Sequence, residues 1–233
     1  MTTTQWNVLR NEITRKATSI GIAVAIYGVS FGALGVTTGL SIAQTQALSL
    51  LMFTGASQFA LVSTIAAGGT SLAAIAAALL LGTRNAAYSL RMAPILKVSG
   101  FRKVLASQVT IDESTAMGLA YDESIEDGKA SRLGFWSTAI SVFVFWNLAT
   151  LLGAVTASAI GDPKALGLDA AIAAGLFALV WPQIKNRYTA SVSLGGALIA
   201  LILTPILPPG LPVLAAAAVA FIVGWSWSKQ VDV

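Results

Sequence analysis

Seven apolar runs, each long enough to suit a membrane-crossing helix, fill most of the chain: 17–40, 45–67, 71–96, 134–160, 167–184, 188–207 and 211–228. A helix needs about 20 apolar residues to cross a hydrocarbon core about 30 Å thick. Lipid offers no partner to free backbone N–H and C=O groups, so such runs must satisfy those groups internally, as helices. No alternating strand pattern points to a barrel. Turn chemistry separates the runs at Gly39, Gly68-Gly69, Gly161-Asp162-Pro163, Lys185-Asn186 and Pro208-Pro209-Gly210. The expected fold class is an all-α polytopic membrane protein with about seven to eight hydrophobic helical segments. The expected organisation is a cytoplasmic segment 1–16, one transmembrane domain 17–228 and a cytoplasmic tail 229–233.

Hydrophobic residues make up 56% of the chain and charged residues 10%. An average soluble protein is about 25% charged. A soluble domain would need polar helix faces, and most of these segments have none. The first run follows Arg15 and Lys16, as the core of a signal peptide would. It continues to about residue 40 with no convincing cleavage site, and reads as a retained first span.

The same composition narrows the function classes. There is no cysteine and no histidine. Disulfides, thiolate metal sites and imidazole proton relays are therefore absent. No P-loop, metal-ligand spacing or nucleophile-base pair occurs, so neither an enzyme nor a cofactor is expected. The net charge of +4 comes from basic residues scattered at loop ends. That distribution reads as membrane topology and not as nucleic-acid binding.

Arg10, Arg15 and Lys16 place the N-terminus in the cytoplasm by the positive-inside rule. Working back from the C-terminal end, Lys229, then Lys185 and Arg187, then Lys129 and Arg132 also fall inside. The cluster Lys97, Arg102 and Lys103 conflicts, because three full spans would put it outside. Two arrangements resolve the conflict. In one, residues 104–121 form an eighth span and the cluster is an exception on the outer face. In the other, a broken or re-entrant segment near residues 53–59 keeps the cluster inside, and 104–121 lies at the interface. The small residues Gly55, Ala56 and Ser57 suit a broken helix. The first arrangement is preferred because it needs no special backbone.

Polar groups inside the greasy runs are the candidates for chemistry. The stretch from residue 71 to 83 is too short to cross at about 1.5 Å per residue. A span there must continue through Arg84, which shares a helix face with Tyr88 and Arg91. Burying such a charge costs at least about 2.5–3.5 kcal/mol, so something must compensate it. A structural ion pair would do so, as would a substrate carboxylate, which the planar guanidinium fits. For Arg91, snorkelling to the interface suffices. Gln108, Asp112 and Thr115 form one polar stripe. If that helix enters the membrane, Asp112 is the best partner for Arg84 or a proton carrier. If it is interfacial, Asp112 and Glu113 are merely solvated. Thr54 and Gln58 stack one turn apart beside Gly55 and Ser57, either for close helix packing or for a substrate's polar groups.

The motifs "FGALGVTTGLS", "MFTGASQFA", "RNAAYSLRMAPIL" and "DES" follow one another in this order. In this the chain resembles the AzlC family, the larger subunit of bacterial branched-chain amino acid exporters. The resemblance implies export of valine, leucine and isoleucine from the inner membrane, together with a small AzlD-like membrane partner. It draws attention to Gly55, Ser57, Gln58, Arg84, Asn85, Tyr88 and Asp112, without a settled site assignment. The substrate-binding set is accordingly Arg84, Gln58, Ser57, Tyr88 and Asn85, with Asp112 and Glu113 for proton or ion coupling. The leading expectation is a secondary exporter driven by an ion gradient. The alternative is a non-transporting scaffold or regulatory subunit of a hydrophobic partner.

Overall fold

The computed structural model describes residues 2–121, 127–159 and 184–207, with 177, 181, 211–212 and 215–219. It is all-helical, with no strand among the described residues. The helices used below are α1 (Thr3–Thr37), α2 (Ile42–Leu51), α3 (Ala56–Ala66), α4 (Ser71–Leu96), α5 (Phe101–Gln108), α6 (Asp112–Leu119), α7 (Lys129–Ala159) and α8 (Arg187–Leu203). By length and composition, α1 and α7 can each cross a membrane. The expected runs 167–184 and 211–228 lie largely outside the described residues, and the tail 229–233 lies wholly outside them.

The helices α1 and α7 run side by side in the same direction. Gly21 packs on Ser141 and Phe145, Gly28 on Trp146 and Ala149, and Gly32 on Thr150 and Ala154. Both numbers in each pair rise together, which fixes a parallel pairing. Lys129, at the start of α7, lies 4.2 Å over the ring of Trp6 near the start of α1. The glycines make this approach possible. A Cβ at Gly32 would run into the carbonyl of Thr150, and one at Gly153 into the carbonyl of Val29.

The helix α4 runs the opposite way. Ala74 and Ala78, near its start, share a core cluster with Phe31, Leu34 and Trp146. Met92 and Leu96, near its end, pack with Phe135 and Ala139 early in α7. So α1 ascends, α4 descends and α7 ascends again.

Two short helix pairs fill the space between these three helices, and neither pair crosses. The helix α2 starts beside the end of α1, where Thr45 meets Gly35. It descends to a break at Met52–Gly55. The next helix, α3, climbs back, with Ser57 at the level of Gly82 and its end joined by a tight turn to the start of α4. The pair is a re-entrant hairpin, so 45–67 is not one span. Its apolar count matches a span because a hairpin that enters and returns contains as many apolar residues as a single crossing. Gly55, at φ +61°, makes the turn, a region that side chains with a Cβ avoid. Gln58 is fully buried and bridges the break. Its Nε2 donates to the Leu48 carbonyl at 3.0 Å, and its Oε1 accepts from the Gly55 amide at 3.2 Å.

The second pair enters from the other end. The helix α5 climbs from the basic end to Gln108. The chain breaks at Val109–Ile111, and α6 descends, with Gly118 beside Met92 and Gly134 beside Met117. The expectations for 104–121, a full span or an interfacial helix, are both corrected. The segment enters the protein and turns back, and Ser114, Thr115, Met117 and Gly118 are buried. The separation of the Lys97, Arg102 and Lys103 cluster from the N-terminal cations, which the eight-span arrangement required, is corrected with it. Lys97 and Arg102 line one basin with Arg10, Lys129 and Arg132. Because each hairpin returns to the end it entered from and α4 descends between them, the chain reaches α7 at the end where α1 began, with Lys129 over Trp6.

Candidate functional site

The tips of the two hairpins meet halfway along α4. Gln108 Nε2, at the end of α5, donates to the carbonyls of Leu50 at 2.9 Å and Leu51 at 3.2 Å, at the end of α2. Arg84 lies midway between the ends of α4, Ser71 and Leu96, and so at the same level. One of its guanidinium nitrogens is 3.0 Å from Asp112 Oδ2, in the first turn of α6. Both side chains remain about one-third exposed, at 37% and 31%, so the pair faces an opening and is not sealed in a core.

That opening is a cavity of about 300 Å³. Its polar wall includes Arg84, Asp112, Glu113, Thr54 and Tyr27. Its apolar wall includes Val24, Phe53, Val142 and Trp146. Gly55 and Ala56, at the start of α3, also line it, and α3 has no side-chain cap. The first N–H groups of a helix have no intrahelical partner and carry the positive end of its dipole. Helix termini of this kind bind anions. The cavity therefore has two features that attract an anion, the α3 terminus and Arg84. It also has a carboxylate, Glu113, with no ion pair to any described cation.

Buried polar side-chain atoms are normally hydrogen-bonded. Around the tips several are not. Thr54 Oγ1, Ser57 Oγ, Asp112 Oδ1 and Thr115 Oγ1 have no partner among the described residues. Thr54 is shared with a second, mostly apolar cavity of about 390 Å³, which Ser57, Leu61, Ala78 and Gly82 help to line. No group of three metal-ligating side chains occurs among the described residues.

The structure brings together some of the residues singled out from sequence and separates others. Arg84, Asp112 and Glu113 share the cavity, and Tyr88 is close enough to Asp112 to interact with it. Ser57 faces the neighbouring apolar cavity. Gln58 spends both ends of its amide on backbone and holds the break, so it lines neither cavity. Asn85 also lines neither. Arg91 is exposed, as snorkelling requires. Sequence reasoning missed Phe53, Val142 and Trp146 as cavity walls, because they look like any other core residues. It also missed the break at 109–111. Thr110 followed three residues later by Glu113 has the spacing of a helix-start signal and pointed there. In the structure Ser114 takes the capping role, with its Oγ accepting from the Ile111 amide at 3.0 Å.

A family model described as AzlC protein matches residues 19–160. That range covers about the last half of α1, both hairpins, α4 and α7. No curated protein and no solved structure matches the chain.

Proposed function

The chain belongs to the AzlC family, and from that premise we propose that it is the larger subunit of a secondary exporter of branched-chain amino acids. The observation that carries the reading is the Arg84–Asp112 pair facing a cavity between two hairpin tips, halfway along α4. Transporters that bind substrate at broken helices near the bilayer midplane use the same elements, namely free helix termini and unwound backbone.

The amino acid fits as a zwitterion with an aliphatic tail. Its carboxylate takes the α3 terminus and the guanidinium of Arg84. Its ammonium takes Glu113. Its side chain lies against Phe53, Val142 and Trp146. Asp112 orients Arg84 from the opposite hairpin and, with Glu113, supplies the carboxylates for proton coupling. Tyr88 supports Asp112, Ser57 borders the adjoining apolar space, and Asn85 follows Arg84 on the same helix. Gln58 keeps the α2–α3 break in shape.

A small AzlD-like membrane subunit is the proposed partner. The proposed setting is the bacterial inner membrane with both termini cytoplasmic, a segment 1–16 and a tail 229–233 flanking one transmembrane domain. The test is efflux of labelled leucine from cells expressing the chain with and without that partner. Faster efflux with both proteins, lost for Arg84→Ala at equal membrane levels, supports the reading. Equal efflux from empty cells and from cells expressing both proteins would leave only a scaffold role.

A further inference from the structure

A second site lies at the basic end, away from the hairpin tips. Arg10 from α1, Lys97 from the end of α4, Arg102 from α5 and both Lys129 and Arg132 from α7 converge on one basin of about 930 Å³. These residues are distant in sequence, and the re-entrant course of α5 and α6 is what gathers them. Among the described acids, only Asp127 comes within ion-pairing distance of these five, at 3.8 Å from Lys97, and both side chains are well exposed. Among the described residues the basin thus sets five cations against one acid.

Topology alone would scatter cations along that face. It does not require a concavity, and this one has an amphiphilic wall. Trp6, Trp136, Leu96, Leu105 and Leu133 line it together with the cations. Tryptophan favours the level of lipid headgroups. Basic pockets between transmembrane helices suit phosphate-bearing headgroups, and leucines in the same wall suit the first carbons of acyl chains. Free phosphate would use the cations but not the leucines.

We propose that this basin is a binding site for the headgroup of an anionic phospholipid. The bound phosphodiester bridges α1, α5 and α7 and fixes the end from which the α5–α6 hairpin enters. The site does not depend on the transport reading, and it would stand if that reading failed.

The test uses the full chain purified in a neutral detergent, titrated with phosphatidylglycerol, phosphatidylcholine or inorganic phosphate and followed by native mass spectrometry and thermal unfolding. Phosphatidylglycerol should bind and stabilise selectively. Each interfacial cation contributes about fivefold in affinity, so Arg102→Gln with Arg132→Gln should weaken its binding by roughly 25-fold. Arg15→Gln with Lys103→Gln removes the same charge outside the basin and should leave the selectivity intact. Equal losses in both double variants would reduce the effect to net charge and overturn the site. So would equal binding of phosphatidylcholine, or equal protection by inorganic phosphate. A variant that fails to unfold cooperatively is replaced by Arg102→Lys with Arg132→Lys, which keeps the charge and should retain the preference for phosphatidylglycerol.

Discussion

Gln108 Nε2 donates to the Leu50 carbonyl at 2.9 Å, so one side chain ties the tip of the hairpin that enters from one end to the tip of the hairpin that enters from the other. The carbonyl belongs to the last turn of α2, where helical acceptors run out. A second bond to Leu51 at 3.2 Å completes the clasp. Any motion that opens the cavity towards one side must break it or carry both tips together.

Replacing Gln108 with Ala removes the clasp and leaves two carbonyls without their donor. The bonds lie at exposed residues, so the expected cost is about 0.5–1.5 kcal/mol, the usual net contribution of a hydrogen bond, read as a lowered Tm. The effect should also be local. Because the chain has no cysteine, a single cysteine at Val109 can report on the break, and it should react faster with a small thiol reagent in the Gln108→Ala background. Unchanged reactivity would mean that the tips are held by packing alone.

The close pairing of α1 and α7 makes a sharper stability prediction. Gly32→Ala drives a methyl group into the Thr150 carbonyl, and Gly153→Ala drives one into that of Val29. Backbone cannot rotate away as a flexible side chain can, so each change should cost at least the 1–3 kcal/mol typical of overpacking, or about that much after the helices shift. Gly82→Ala serves as the contrast. Its methyl would meet only Ser57 Oγ at 3.4 Å, an ordinary contact. A Tm for Gly32→Ala no lower than that for Gly82→Ala would contradict the parallel contact.

Topology can be read with the same cysteine chemistry. Lys97 and Arg102 share a basin with Arg10. A cysteine at Ser99 should therefore react from the side that labels the N-terminal segment, and not from the opposite side. Labelling of Ser99→Cys from the face opposite Arg10 would restore the eight-span arrangement.

The fold was legible in sequence up to the number of helices and failed at their paths. Hydropathy registers how many apolar residues enter the membrane and not whether they come out on the far side. A hairpin such as 42–66 therefore scores as a span. The local chemistry was more informative than the length. Gly55 marked one break, and the misplaced Lys97, Arg102 and Lys103 were the clue that a crossing had been overcounted. The site was half legible for a related reason. Arg84 is visible because a charge inside an apolar run needs a compensating partner. Phe53 and Trp146 are not, because an apolar cavity wall and an apolar core have the same composition. Gln58 was visible as a polar residue, but only in the folded chain is its amide seen to be used up on Leu48 and Gly55.

Arg84 has two proposed tasks, and substitutions can separate them. Arg84→Lys keeps the charge but loses the planar fork, so binding of leucine should weaken, and Arg84→Ala should abolish it. A purely structural pair would also make Arg84→Ala harmful, by leaving Asp112 unpaired. The double change Arg84→Ala with Asp112→Ala removes that penalty. The double variant should recover membrane insertion and thermal stability yet still fail to bind leucine. Recovery of binding in the double variant would reduce Arg84 to a counter-charge.

Glu113 carries the last prediction. Arg84 and Asp112 neutralise each other at 3.0 Å. Glu113 lines the same cavity with no cation paired to it among the described residues. Among the described residues the cavity lining thus holds one negative charge in excess, a state that is costly inside a membrane. A proton or a substrate ammonium can cancel that charge, but both cannot occupy the carboxylate at once. Binding of a zwitterionic amino acid should therefore expel a proton, as an exporter driven by inward proton flow requires. Leucine added to the purified protein in weakly buffered solution should release about one proton per molecule bound, read with a pH-sensitive dye. In Glu113→Gln the release should vanish, and the pH dependence of leucine binding should flatten. Asp112→Asn should weaken binding through Arg84 but keep proton release for the leucine that does bind. Undiminished proton release by Glu113→Gln would move the coupling to another group.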